Sequence, residues 1–152
     1  MKAIVLVDTS VFLEILDVPV KASRAVQFRM HLRARIMADE RLLLPLATIL
    51  ETGNHIAQNG DGRQRRAAAE RYVEQVREAV AGRSPFTPTS SLEVAEIVGW
   101  LEEFPDSATR GMGIADLSIV HEWRRQCAIH AGRRVLIWSL DEHLSGYDTG
   151  ER

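Results

Sequence analysis

The stretch Ala3-Ile4-Val5-Leu6-Val7-Asp8-Thr9-Ser10 decides how the rest of this chain is read. Five apolar residues run without the polar interruptions of a half-exposed strand, and three of them are the β-branched Ile4, Val5 and Val7. Such a run predicts a strand buried on both faces, as in a parallel sheet covered by helices. Asp8-Thr9-Ser10 then breaks the run with helix-capping residues, so a helix is expected from Val11 to Leu16, ending near Pro19. Ligands of parallel sheets bind beyond the carboxyl ends of the strands, which makes Asp8 the first candidate site residue.

Outward from that strand, the pattern alternates. Ser23 to Met37 reads as a helix, and Arg41 to Leu46 as a second short strand with Pro45 at its end. Ala47 to Gln58 reads as a helix, Asn59-Gly60-Asp61-Gly62 as a turn, and Arg63 to Val80 as an Ala-, Glu- and Arg-rich helix closed by Gly82. Ser84 to Ser91 is a connector with a short strand around Phe86. Leu92 to Phe104 is expected to be helical and Asp106 to Gly113 a loop. Ile114 to Ala131 reads as a long helix capped by Gly132, and Arg134 to Leu140 as the last clear strand. Strands alternating with helices predict an α/β sandwich with a mostly parallel sheet. The 152 residues suffice for one domain with its own core, and residues 1–152 are read as a single domain.

Composition narrows the class. A 45% hydrophobic and 26% charged chain is that of an ordinary globular protein. The one cysteine, Cys127, allows no internal disulfide, which fits a reducing compartment. The apolar run at the start is too short for a secretory signal, and no stretch approaches a membrane span, so a cytoplasmic location is expected. A net charge of −2 argues against an avid, non-specific nucleic-acid binder. It is compatible with a nuclease whose acidic site is offset by arginines elsewhere. Only Lys2 and Lys21 of the nineteen basic residues are lysines. Arg63, Arg65, Arg66, Arg124 and Arg125 suit either RNA phosphates or solvated helix faces paired with Glu.

Three further carboxylates fall at positions that could join Asp8. Asp141 follows the last strand. Asp116 lies in the first turn of its helix, beside the apolar face of Ile119, Val120, Trp123 and Cys127, where the helix dipole offsets its charge. Glu51 flanks the buried face of its own helix. Asp148 and Glu142 are substitutes for Asp141. Four converging carboxylates repel one another unless a cation holds them or some stay protonated. All-oxygen donors select Mg2+ or Mn2+, which activate water and neutralise phosphate oxygens. His55, His121 and His143 have no metal-binding spacing with the cysteine or with a second histidine. Cys127, Trp100, Trp123 and Trp138 lie in apolar patterns and are read as core, and Trp100 with Leu101 and Phe104 could instead face a partner.

These residues resemble the motifs of the PIN-domain family. Val-Leu-Val-Asp8-Thr9-Ser10-Val-Phe resembles its opening motif, and Leu-Ala-Thr-Ile-Leu-Glu51-Thr-Gly-Asn-His its second. Gly113-Ile-Ala-Asp116-Leu-Ser-Ile-Val resembles the third, and Ser139-Leu-Asp141-Glu-His-Leu the last, with Ser139 where Thr is usual. The four occur in order from residue 4 to about 144. The resemblance implies a three-layer α/β/α sandwich and a divalent-metal ribonuclease, with Asp8, Glu51, Asp116 and Asp141 binding Mg2+ or Mn2+. Ser10 or Thr9 would hold Asp8 or the substrate phosphate, and Ser139 would support Asp141. Attack by a metal-bound water would leave a 5′-phosphate and a 3′-hydroxyl. Small bacterial members are similar to the VapC toxins, which implies an antitoxin partner and a homodimer. The Arg63–Val80 helix is longer than usual for that subgroup.

Two other classes compete. A strand ending in Asp also opens receiver domains and haloacid-dehalogenase-like phosphatases. The latter want a second Asp where Ser10 stands, and receivers want a late Lys, whereas both lysines here are early. The stronger rival is a catalytically inactive PIN-like module that binds RNA or a protein. Such modules tend to lose carboxylates, and all four are present.

Overall fold

The computed structural model describes residues 2–89 and 93–150. Among these residues the order is β1 (Ile4–Val7), α1 (Thr9–Ile15), α2 (Ala25–Met37), β2 (Arg41–Leu44), α3 (Leu46–Gln58), α4 (Gly62–Val80), β3 (Phe86–Pro88), α5 (Val94–Thr109), α6 (Ile114–Ile129) and β4 (Val135–Trp138). The four strands form one sheet in the order β3-β2-β1-β4, and every neighbouring pair is parallel.

The opening strand is buried on both faces, for the reason its composition gave. Val5 and Val7 join one core with Val11, Phe12, Phe28, Ile56 and Ala68, from α1 to α4. Ile4 and Leu6 point the other way and join Leu117, Ile119 and Val120 of α6. Alternate residues of one strand therefore feed two cores, and the molecule is a three-layer α/β/α sandwich. Phe12 meets Phe86 edge-on at 5.6 Å, which ties α1 to the outer strand β3. Pro88, which has no N–H for the ladder, is tolerated because β3 is an edge. At the opposite edge the chain after β4 folds back: the N–H groups of Ile137 and Thr149 donate to Tyr147 O and Val135 O. That return covers the outer rim of β4.

Most boundaries shift by one or two residues from the sequence reading, and the end of α5 shifts by more. The helix expected to stop at Phe104 continues through Pro105 to Thr109, four residues into the expected loop. Its continuation buries Ser107, whose carbonyl accepts the N–H of Met112, a residue buried in the second core. The start of that helix at Leu92 lies outside the described residues, as do Ser90 and Ser91. The last strand ends at Trp138, and Ser139 already belongs to the turn beyond it. Trp100, Trp123 and Trp138 pack against the cores and keep part of their surface in water. No helix among the described residues is long and apolar enough to cross a membrane.

Candidate functional site

Parallel pairing fixes the site. Val7 lies opposite Trp138 in the β1–β4 register, so the chain leaves both strands at the same edge of the sheet. Asp8 N–H donates to Trp138 O at 3.1 Å, which continues the ladder one residue further. On the other side of β1, the Thr48 hydroxyl donates to Val7 O at 2.8 Å from within the protein. That bond pins the first turn of α3, and with it Glu51, beside the end of β1. Asp116 comes from the opposite layer, in the first turn of α6.

Asp8, Glu51, Asp116 and Asp141 all line one cavity of about 400 Å3 at this edge. Asp8 is almost wholly buried. Its Oδ2 accepts the Ser10 hydroxyl at 2.8 Å and the Ser139 hydroxyl at 2.7 Å. Two hydroxyl hydrogen bonds on one oxygen fix the plane of the carboxylate. The serines are oriented in turn, because Leu140 N–H donates to Ser10 Oγ and Asp141 N–H to Ser139 Oγ, each at 2.9 Å. Thr9 donates to Glu51 Oε2 at 3.0 Å, and His143 N–H to Asp141 Oδ1 at 2.8 Å. The expected partnerships are thus redistributed. Thr9 serves Glu51, and Ser139 donates its hydrogen bond to Asp8 while meeting Asp141 only through the backbone.

The electrostatics follow from the crowding. Burial first, and then the charges of Asp8, Glu51 and Asp141, push the Asp116 carboxyl up from 3.8 to about 6. His143 pulls weakly the other way. Among the described residues no three Asp, Glu, His or Cys side chains are drawn together closely enough to enclose one ion. The donor set nevertheless suits a hard cation: four carboxylates share a cavity, and their mutual repulsion is what a divalent ion would relieve.

Other expected residues lie elsewhere. Asp148 is engaged by Arg134 at 2.6 Å, which holds its carboxyl below the usual range. Glu142 is exposed and does not line the cavity. Arg66, Arg124 and Arg125 pair with Glu70, Glu103 and Glu122, and Arg65 donates to Gly60 O. None of these arginines lines the carboxylate cavity.

The cavity also contains residues that the sequence reading did not place at the site: Glu14, Lys21 and His55. Glu14 is a buried carboxylate whose oxygens accept the N–H groups of Ser23 and Arg24 at 2.8 to 3.2 Å. A glutamate in a short helix ordinarily faces water, and no sequence signal marks this one as the anchor of the loop ahead of α2.

Beside the cavity, and sharing Glu51 with it, runs an apolar groove between α3, α5 and α6 lined by Leu46, Leu50, Trp100 and Ile114. Set against known proteins, the chain matches no family model, no curated protein and no solved structure.

Proposed function

We propose that this protein is a divalent-metal-dependent ribonuclease of PIN-like architecture that hydrolyses RNA phosphodiester bonds. One observation carries the reading: Asp8, Glu51, Asp116 and Asp141, from four separate segments, line a single cavity at the carboxyl edge of a parallel sheet. Their order and the sequence around them resemble the acidic motifs of PIN nucleases. When bound by these carboxylates, Mg2+ or Mn2+ supplies an activated water and neutralises charge on the reacting phosphate.

The chain's own residues supply position. Ser10 and Ser139 fix the plane of the Asp8 carboxylate, and Thr9 holds one oxygen of Glu51. Burial and the neighbouring carboxylates raise the Asp116 carboxyl to about 6, so its occupancy by a proton or a cation changes the charge of the cavity near neutral pH. Cutting through this site would leave a 5′-phosphate and a 3′-hydroxyl. An antitoxin partner and a homodimer belong to the same resemblance. The exposed Leu50, Val98 and Leu101 on α3 and α5 are consistent with a protein-covered face.

The test is cleavage of a mixed RNA pool by purified protein with Mg2+ or Mn2+. EDTA and the double variant Asp8→Asn with Asp116→Asn serve as controls. Metal-dependent cutting that the double variant loses is the expected result. RNA binding with equal trace activity in wild type and variant would replace this reading with the non-cutting module.

A further inference from the structure

The loop between α1 and α2 is built at a cost. Val20, a β-branched residue, takes φ +69° with its side chain 79% exposed, and Asp17 takes φ +53°. Left-handed backbone is unfavourable for any side chain and most so for a branched one. Such a conformation persists only where its surroundings impose it. Here they do. Arg71 reaches across from α4 and donates to Leu16 O and Asp17 O, each at 2.9 Å. Val18 is wholly buried in the first core. Glu14 takes the N–H groups of Ser23 and Arg24 at the far end. The loop is therefore clamped at both ends, with its two strained residues between the clamps.

What this geometry delivers is Lys21, the residue directly after Val20. It lines the carboxylate cavity, the only Lys or Arg among the described residues to do so. An ammonium among carboxylates would ordinarily close onto one of them. Among the described residues Lys21 makes no ion pair, and the adjacent Glu14 is already occupied by backbone N–H groups. The backbone on either side of it is held while its side chain stays exposed and its charge available to a ligand. An ammonium serves as a point charge for phosphate, and an anionic strand entering an acid-lined cavity needs one.

We propose that Lys21 binds the RNA backbone phosphate next to the scissile bond, drawing the strand over the cavity from the α1–α2 loop. The assignment rests on the nuclease reading above. The chemical class of ligand is a single-stranded oligonucleotide phosphate, and Lys21 is a substrate-binding residue for it.

The experiment compares wild type, Lys21→Gln and Lys21→Arg, with Lys2→Gln as a charge-matched control remote from the cavity and paired with Asp39. Two readouts are taken. One is steady-state cleavage with Mg2+. The other is anisotropy of a fluorescein-labelled oligoribonucleotide of mixed sequence, with Ca2+ in place of Mg2+, from about 50 to 400 mM salt. Lys21→Gln is expected to raise KM about tenfold with little change in kcat, and to flatten the log–log salt dependence of binding by about 0.7, the loss of one phosphate contact. Lys21→Arg should keep most of the binding, and Lys2→Gln should behave as wild type. Cleaving wild type with Lys21→Gln unchanged in KM and salt slope would overturn the Lys21 assignment alone. Wild type that binds with the predicted slope difference but does not cut would support Lys21 and remove the nuclease. Wild type that neither binds nor cuts would overturn both.

Discussion

Replacing Asp116 by Asn should make the metal-free protein more stable, although it removes a candidate ligand. In the folded protein the Asp116 carboxyl titrates near 6 rather than 3.8, raised by burial and then by Asp8, Glu51 and Asp141. Between those two values the folded state holds the proton more tightly than the unfolded chain does, so stability falls as pH rises. The penalty is absent below about pH 4 and complete above about pH 7. At about 1.4 kcal/mol per tenfold change in proton affinity, full desolvation would make it about 3 kcal/mol. Asp116 is only half-buried, and water screens part of the repulsion, so about 1–1.5 kcal/mol is the reasonable magnitude. For a chain of this size that corresponds to a Tm about 3–5 °C higher for the variant at pH 8. The assay is thermal unfolding followed by circular dichroism in EDTA, from about pH 4 to pH 8. The two proteins should differ little at the acid end and diverge through pH 5 to about 7. Saturating Mg2+ should then raise wild type and leave the variant nearly where it was. A gain that does not vary with pH, or a wild type more stable than the variant at pH 8 without metal, would refute the claim that these carboxylates share a field.

Three other outcomes are expected. Ser139→Ala removes one of the two hydroxyls on Asp8 Oδ2 and should lower metal-dependent cleavage about 10- to 100-fold, as losing a ligand's supporting hydrogen bond generally does, with circular dichroism unchanged. Val20→Gly removes a strained, exposed side chain and should raise stability in urea by about 0.5–1 kcal/mol once the greater freedom of the unfolded glycine is subtracted. Phe12→Ala empties the contact between α1 and Phe86 in a fully buried position and should cost about 3–5 kcal/mol by the same measurement.

What could be read in advance was whatever the chain encodes locally. The uninterrupted Ile4–Val7 run specified a strand covered on both sides, and its alternate residues do enter two cores. Asp8, Glu51, Asp116 and Asp141 could be singled out because each follows a strand or flanks an apolar helix face. What could not be read depends on register and on left-handed backbone. Ser139 reaches Asp8 because Val7 pairs with Trp138, and nothing within either segment states that pairing. Lys21 reaches the cavity through a turn made by valine, a residue that signals extended chain. Glu14 was invisible because its partners are backbone N–H groups, which carry no residue-type signature. The helix expected to end at Phe104 runs on through Pro105, because burial of Ser107 and Met112 beyond it outweighs the missing N–H.

The adjacency of β1 and β4 also has a consequence for the order in which the molecule comes into being. Asp8 emerges from the ribosome early, while the hydroxyl of Ser139 that completes its support lies 131 residues downstream. A nascent chain lacking β4 has the outer edge of β1 open, half of the serine support for Asp8 missing, and no Asp141. Synthesis proceeds from the N-terminus, so the cavity is assembled only after the strand at its far side has been made and docked. If the site cuts RNA, the ribosome and message nearest to it during synthesis face an incomplete enzyme, and the topology itself acts as a safety interval.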